Sequence, residues 1–150
     1  MKDNYFAGVG AIVIKDQKVL LVRHTYGAAK GKLLNPGGYM NHGELPTDAV
    51  KREVLEETGI TVNPAGMLCI RCSEKDWYMV FVADYVSGEV TSDGDENSEV
   101  LFMDCNELLQ REDATDTVKI LVRLALERKP LDCTEVGNGR IMFASSEVIA

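Results

Sequence analysis

Three glutamates, Glu53, Glu56 and Glu57, stand three and four residues apart within PTDAVKREVLEETGI, residues 46–60. On a helix turning about 100° per residue they share one face. Like charges at i,i+3 and i,i+4 repel, so an exposed helix loses a little stability by carrying them together. Lys51 and Arg52 could neutralise them on an ordinary solvated surface, or the three could form a cluster of hard oxygen donors for a cation. Carboxylates in this number suit Mg2+ or Mn2+, which keep waters and recruit phosphate oxygens. Ala49 sits on the same stripe and is small enough to leave it open. Val50, Val54 and Thr58 fall on a neighbouring face fit to pack on a sheet.

The helix that carries them has clear bounds. Pro46 suits its first turn, Asp48 lies near its positive end, and Gly59 stops it after Thr58. Before it, a short extended Leu33-Leu34-Asn35 meets Pro36-Gly37-Gly38, which is expected to halt regular structure. Further upstream, GVGAIVI (8–14) and VLLVR (19–23) flank KDQK and predict a hairpin, followed by a polar loop over 24–33. Downstream, strands are expected over 66–73 and 77–86, and again at EVLFMD (99–104) after the acidic loop SGEVTSDGDENS. ELLQ begins a helical region, and TDTVKILVRLALERK predicts an amphipathic helix capped by Thr115 or Asp116. Strands that precede, separate and follow two helices imply a mixed α/β sandwich rather than a regular βαβ array. Periodicity weakens from Leu131, so residues 1–130 are expected to form one domain and 131–150 a C-terminal extension.

Composition narrows the function. The chain has 150 residues and is 45% hydrophobic, enough for one buried core. Its net charge is −8 with no Lys/Arg-rich run, which disfavours a nucleic-acid-coating surface. A small polyanionic substrate stays compatible if metal ions mediate. No apolar run approaches the roughly 18 residues that a membrane span needs. The first residues read as a strand rather than a secretory leader, so a cytoplasmic protein without a membrane partner is expected, and a homodimer is compatible with the sequence. Cys69 and Cys72 form a C-x-x-C with no second pair at zinc spacing; buried or half-buried thiols are expected, not zinc or disulfides.

Gly38, Glu44, Arg52, Glu53, Val54, Glu56, Glu57, Gly59 and Ile60 read G-x5-E-x7-R-E-U-x-E-E-x-G-U, with U a bulky aliphatic residue. Its seven fixed letters coincide by chance with a probability on the order of 10⁻⁸ to 10⁻⁹ per start. The stretch resembles, without a break, the signature of the Nudix hydrolases. The resemblance implies a Nudix-type α/β/α sandwich with a mixed central sheet. It also implies Mg2+- or Mn2+-dependent hydrolysis of a diphosphate linkage in a small-molecule nucleoside diphosphate derivative. By the same resemblance Glu53, Glu56 and Glu57 are metal ligands, one of them a general base, and the Gly37 carbonyl is a main-chain ligand. Arg52 orients a ligand glutamate and Glu44 supports the loop before the helix.

Family members often add a carboxylate from a loop outside the box. Asp93, Asp95, Glu96 and Glu99 are candidates here, with Glu96 favoured and Glu99 next. The candidate substrate contacts are Arg23, His24 and Lys32 for phosphates, Gly38 at the turn, and Tyr78 as a surface on which a base stacks. Trp77, its neighbour on a strand, is expected to face the core. The nucleotide-sugar, dinucleoside-polyphosphate and nucleoside-triphosphate classes all stay open. No proline lies at the distance beyond the box that the resemblance associates with ADP-ribose enzymes, and Tyr78 is a slight pointer to dinucleoside polyphosphates. A non-catalytic nucleotide sensor or interaction module is the alternative, although such modules lose box glutamates and this sequence keeps all three.

Overall fold

Val9 to Val13 is apolar or glycine at every position, so a strand built from it must be covered on both faces. In the computed structural model, which describes residues 6–145, that strand is central. The chain runs through β1 (Ala7–Lys15), β2 (Lys18–His24), β3 (Leu33–Leu34), β4 (Gly37–Tyr39) and α1 (Pro46–Thr58). It continues through β5 (Thr61–Cys72), β6 (Trp77–Ser87), β7 (Asn97–Asp104), α2 (Cys105–Gln110) and α3 (Asp116–Glu127). β8 (Asp132–Gly137) and β9 (Arg140–Ala144) close it.

Asp16 and Gln17 both adopt positive φ, 51° and 66°, the two-residue turn whose twist matches a hairpin. β1 and β2 pair beside that turn, at Ile14–Val19 and Lys15–Lys18. β1 then pairs in parallel with β6 over Ala7–Val13, while β2 pairs antiparallel with β7 and β3. β5 lies outside β6, antiparallel to it, so the central sheet is mixed.

Alternate residues of β1 serve two cores. Val9, Ala11 and Val13 join Ala49, Val50 and Val54 of α1 with Ile60, Val62 and Phe81. Ile12 joins Val19, Leu21 and Val80 against Leu108, Val118, Leu121 and Val122 of α2 and α3. The result is an α/β/α sandwich, as the sequence implied.

Four local features differ from expectation. Pro36-Gly37-Gly38 does not end regular structure: Gly37, Gly38 and Tyr39 form β4 and pair with Gly10, Val9 and Gly8 of β1. β5 begins at Thr61 and runs through Pro64, which an edge strand with register shifts tolerates. Trp77 is 51% exposed rather than buried, packing on Phe6 with ring centroids 5.2 Å apart. Cys72 is exposed, while Cys69 is half-buried. Beyond Leu131, β8 and β9 pair as a hairpin, and Phe143 meets Phe81 edge-on at 5.3 Å. The flanks 1–5 and 146–150 of the two expected segments lie outside the described residues. Among the described residues no helix is long and apolar enough to cross a membrane.

Candidate active site

α1 is held in place by its apolar face and by its ends. Ala49, Val50, Val54 and Thr58 are buried, and Gly59 at φ 77° bonds back to the Leu55 carbonyl at 3.0 Å. That left-handed stop is inexpensive for glycine. With the apolar face on the sheet, the glutamate stripe faces β4.

Arg52 knits this stripe to the preceding loop. Its Nε donates to Glu44 Oε2 at 2.7 Å and its Nη2 to Glu44 Oε1 at 3.0 Å, a bidentate pair. Nη2 also reaches the Tyr39 carbonyl at 3.1 Å, and Nη1 reaches Glu53 at 2.8 Å and Glu56 at 3.3 Å. Glu44 in turn accepts the Asn41 amide at 2.8 Å. The Arg52 guanidinium holds the Glu44 carboxyl below the usual carboxylate range.

Glu53 and Glu57 point at the Gly37–Gly38 strand. A Cβ on Gly38 would fall onto the Glu53 carboxylate, so this cradle admits only glycine while the carboxylate stays put. The Gly37 amide donates to Glu57 Oε1 at 3.2 Å. Glu57 is buried at 8% exposure, and desolvation pushes its carboxyl up to about 8. The Gly37 hydrogen bond opposes that rise, while the charges of Glu53, Glu96 and Asp93 reinforce it. Burial also raises Glu53, against the lowering effect of Arg52. Glu56, the third of the stripe, stands exposed at the rim.

The acidic loop is drawn toward this pair. Asn97, 1% exposed, donates from Nδ2 to the Glu57 carbonyl at 2.9 Å, fixing the start of β7 to the end of α1. Asp93 Oδ1 accepts the amides of Asp95 and Asn97, and the Thr25 amide bonds the Glu96 carbonyl at 3.1 Å. Glu96 therefore lies within the field of both Glu53 and Glu57. Glu99 turns elsewhere, to Arg23 at 2.9 Å.

Beside Gly37 and Gly38 opens a cavity of about 520 Å³, a size suited to a small-molecule ligand. His24 and Tyr26, their rings stacked 5.1 Å apart, line it with Leu34 and Leu121. Burial lowers the pKa of His24. Tyr78 also lines the cavity, lying across three glycines: its ring is against Gly8 and its hydroxyl against Gly10 and Gly37. Desolvation raises its hydroxyl far above the ordinary phenol range.

Glu53 and Glu57 thus meet Gly37 and Gly38 from the α1 side, within the field of Glu96 and with Arg52 and Glu56 beside them, while His24 and Tyr78 line the cavity with the same two glycines. Arg23 does not line the cavity; it bonds Glu99, Asp113 at 3.1 Å and the Gly31 carbonyl at 2.9 Å. Lys32 is exposed on the neighbouring loop. Sequence reasoning overlooked Asn97, Tyr26, Arg71 and Asp76. Their positions depend on strand pairing across long separations, and no local pattern marks them.

The donor set fits a hard divalent cation. Two carboxylates are withdrawn from water without a dedicated counter-ion, and Arg52 divides one guanidinium nitrogen between Glu53 and Glu56. Among the described residues the carboxylates are not already gathered into a group of three or more close enough to hold an ion. As they stand, Glu53 and Glu56 turn to Arg52 instead.

A protein-family model described as the NUDIX domain matches residues 4–124. An ADP-ribose pyrophosphatase of Methanocaldococcus jannaschii is 35% identical over 106 residues, 67% of this chain and 62% of that protein. The chain spans 28% and 32% of the length of two further curated relatives. A NUDIX hydrolase structure from Nitrosomonas europaea, 28% identical, superposes with a TM-score of 0.68 over 89% of this chain and 98% of its own. Another from that organism, 26% identical, has a TM-score of 0.72 over 81% and 70%.

Proposed function

The chain belongs to the NUDIX domain family, and from that premise we propose that it hydrolyses the diphosphate linkage of a nucleoside diphosphate derivative with a divalent metal ion. One observation carries the reading: the buried Glu57 and half-buried Glu53 carboxylates converge on the Gly37–Gly38 strand, whose two glycines also line a ligand-sized cavity. Glu53, Glu56 and Glu57, with the Gly37 carbonyl and Glu96, would hold Mg2+ or Mn2+. Such an ion supplies neutralisation of the diphosphate and activation of water.

The protein's own groups do the rest. Arg52 keeps Glu53 and Glu56 oriented while anchoring the loop through Glu44. Glu57, held at Oε1 by the Gly37 amide, offers Oε2 to take a proton from the attacking water. In the metal-free protein burial raises this carboxyl to about 8, and a bound cation would favour its ionised, proton-accepting form. The water oxygen forms a bond to phosphorus, the bridging P–O bond breaks, and the nucleotide or phosphate leaves. Apolar walls at Leu34, Val80 and Leu121 shield the remainder of the substrate from solvent.

Among substrate classes we favour a nucleoside diphosphate linked to a sugar. The archaeal relative named an ADP-ribose pyrophosphatase supports this, at 35% identity over two thirds of the chain. Incubating purified protein with ADP-ribose, other nucleotide sugars, dinucleoside polyphosphates and nucleoside triphosphates tests the reading. Hydrolysis with Mg2+ or Mn2+ that stops with chelator is expected. No turnover of any member under either metal refutes it.

A further inference from the structure

The cavity holds a cation that the box does not account for. Of the described residues lining it only His24 and Arg71 are basic, and the guanidinium alone of these two stays charged at every working pH. Arg71, close to the end of β5, is aimed by a bracket of contacts. Its Nη2 donates to Asp76 Oδ1 at 2.8 Å, and its guanidinium carbon lies 5.2 Å from the centroid of the Tyr78 ring. Asp76 is fixed in turn by Ser73 Oγ at 3.0 Å and by the Tyr39 hydroxyl at 3.2 Å.

Strand register places that bracket relative to the carboxylates. Arg71 pairs with Tyr78, Tyr78 with Gly8, and Gly8 with Tyr39, one row across β5, β6, β1 and β4. The Gly10–Gly37 pair lies two residues further along. Tyr78 spans both rows, its ring on Gly8 and its hydroxyl at Gly37. The guanidinium over that ring is therefore within one side chain's length of the Gly37 edge, which Glu57 grips from the helix side. The chain carries a net charge of −8, and the other arginines near the cleft are committed: Arg23 to Glu99 and Asp113, Arg52 to Glu44, Glu53 and Glu56. Among the described residues Arg71 has one carboxylate partner, and its side chain is half-exposed.

We propose that Arg71 grips the non-bridging oxygens of the substrate's diphosphate from the cavity side, across the Gly37–Gly38 strand from the carboxylates. This rests on the diphosphate-hydrolysing reading above and adds the residue that holds the anion. A guanidinium fork suits phosphate oxygens, and its loss weakens the hold on the diphosphate.

Inorganic pyrophosphate, a diphosphate with neither base nor sugar, isolates this contact. It is titrated with Mg2+ onto the wild-type protein, Arg71→Ala, Arg71→Lys and, as a control, Arg123→Ala on the exposed side of α3. Arg71→Ala is expected to weaken pyrophosphate binding about tenfold or more, Arg71→Lys less, and Arg123→Ala not at all. kcat/KM for the best nucleotide substrate should fall by at least a similar factor. Wild-type affinity for pyrophosphate in Arg71→Ala overturns the proposal, and does so even if kcat/KM falls, because the contact is then to base or sugar. Failure of the wild-type protein to bind pyrophosphate overturns it as well. Failure of the parent reading shows separately, as absence of hydrolysis across the substrate panel, and the pyrophosphate titration judges Arg71 without turnover.

Discussion

The Glu53 carboxylate lies in the space that a side chain on Gly38 would fill. The first glycine of the box is thus tied to its first helical glutamate by direct contact, fifteen positions of chain being brought together by the pairing of β4 with β1. Gly38→Ala should push the carboxylate aside rather than break the sheet, because the far end of Glu53 can swing. The expected result is a loss of at least about tenfold in kcat with a melting temperature within a few degrees of wild type, since misplacing a catalytic group by about an ångström is costly. Unchanged kcat would show that Glu53 need not sit there.

Arg52 donates to Glu44, Glu53, Glu56 and the Tyr39 carbonyl. A lysine ammonium cannot reproduce that fork. Arg52→Lys should therefore lower kcat at least about tenfold and lower the melting temperature, with Arg52→Ala worse on both. Thermal unfolding and steady-state kinetics on the same samples check it; full activity in Arg52→Lys would contradict the bracing role.

The box was legible because its chemistry and its helix share one local period. Pro46, Val50, Val54 and Gly59 bound and seat the helix that Glu53, Glu56 and Glu57 need, all within fourteen residues. The first hairpin and the Thr115 cap of α3 were legible for the same local reason. What stayed hidden depends on distant pairing. β4 pairs with Gly8, Val9 and Gly10 of β1, and Tyr78 of the neighbouring strand fills the space that Gly8, Gly10 and Gly37 leave, which no reading of Pro36-Gly37-Gly38 alone contains. Trp77 reads as core by residue type, yet strand alternation turns Tyr78 toward the cleft and leaves Trp77 to Phe6. Arg71 and Asp76 look like ordinary charges flanking a turn until the fold sets Arg71 beside Tyr78 and Asp76 against Tyr39.

Glu57 makes stability depend on pH in a defined direction. Its folded carboxyl is raised from 4.5 to about 8, first by desolvation, so between those values the folded state binds more protons than the unfolded one. Without metal, this contribution is fully present below about pH 4.5 and is lost as pH rises toward 8. The slope is at most about 1.4 kcal/mol per pH unit. Melting of the chelator-treated protein at pH 5.5 and pH 8 should show the decline, and Glu57→Gln should flatten it. Equal declines in both proteins would place the titrating group elsewhere.

Arg23 joins β2 to Glu99, Asp113 and the Gly31 carbonyl. Arg23→Ala should therefore act on stability, lowering it by roughly 1–2 kcal/mol through partners left unpaired, and leave KM within about twofold. A large rise in KM at unchanged melting temperature would return Arg23 to the substrate.

The central claim is that the α1 carboxylates hold the catalytic metal, and kcat of Glu53→Gln and Glu57→Gln tests it most directly. Glu107→Gln, at an exposed site paired with Arg111, serves as the control. Each change keeps size and removes one charge, so the packing of Val50 and Val54 is untouched. Loss of a charged ligand is worth several kcal/mol of transition-state stabilisation, which predicts at least about a hundredfold loss of kcat in each variant. The melting temperature should stay within a few degrees of wild type, because size is kept and the i,i+4 repulsion relieved offsets the charge that Arg52 loses at Glu53. Near wild-type turnover in both variants, on a substrate that the wild-type protein hydrolyses, would contradict the account.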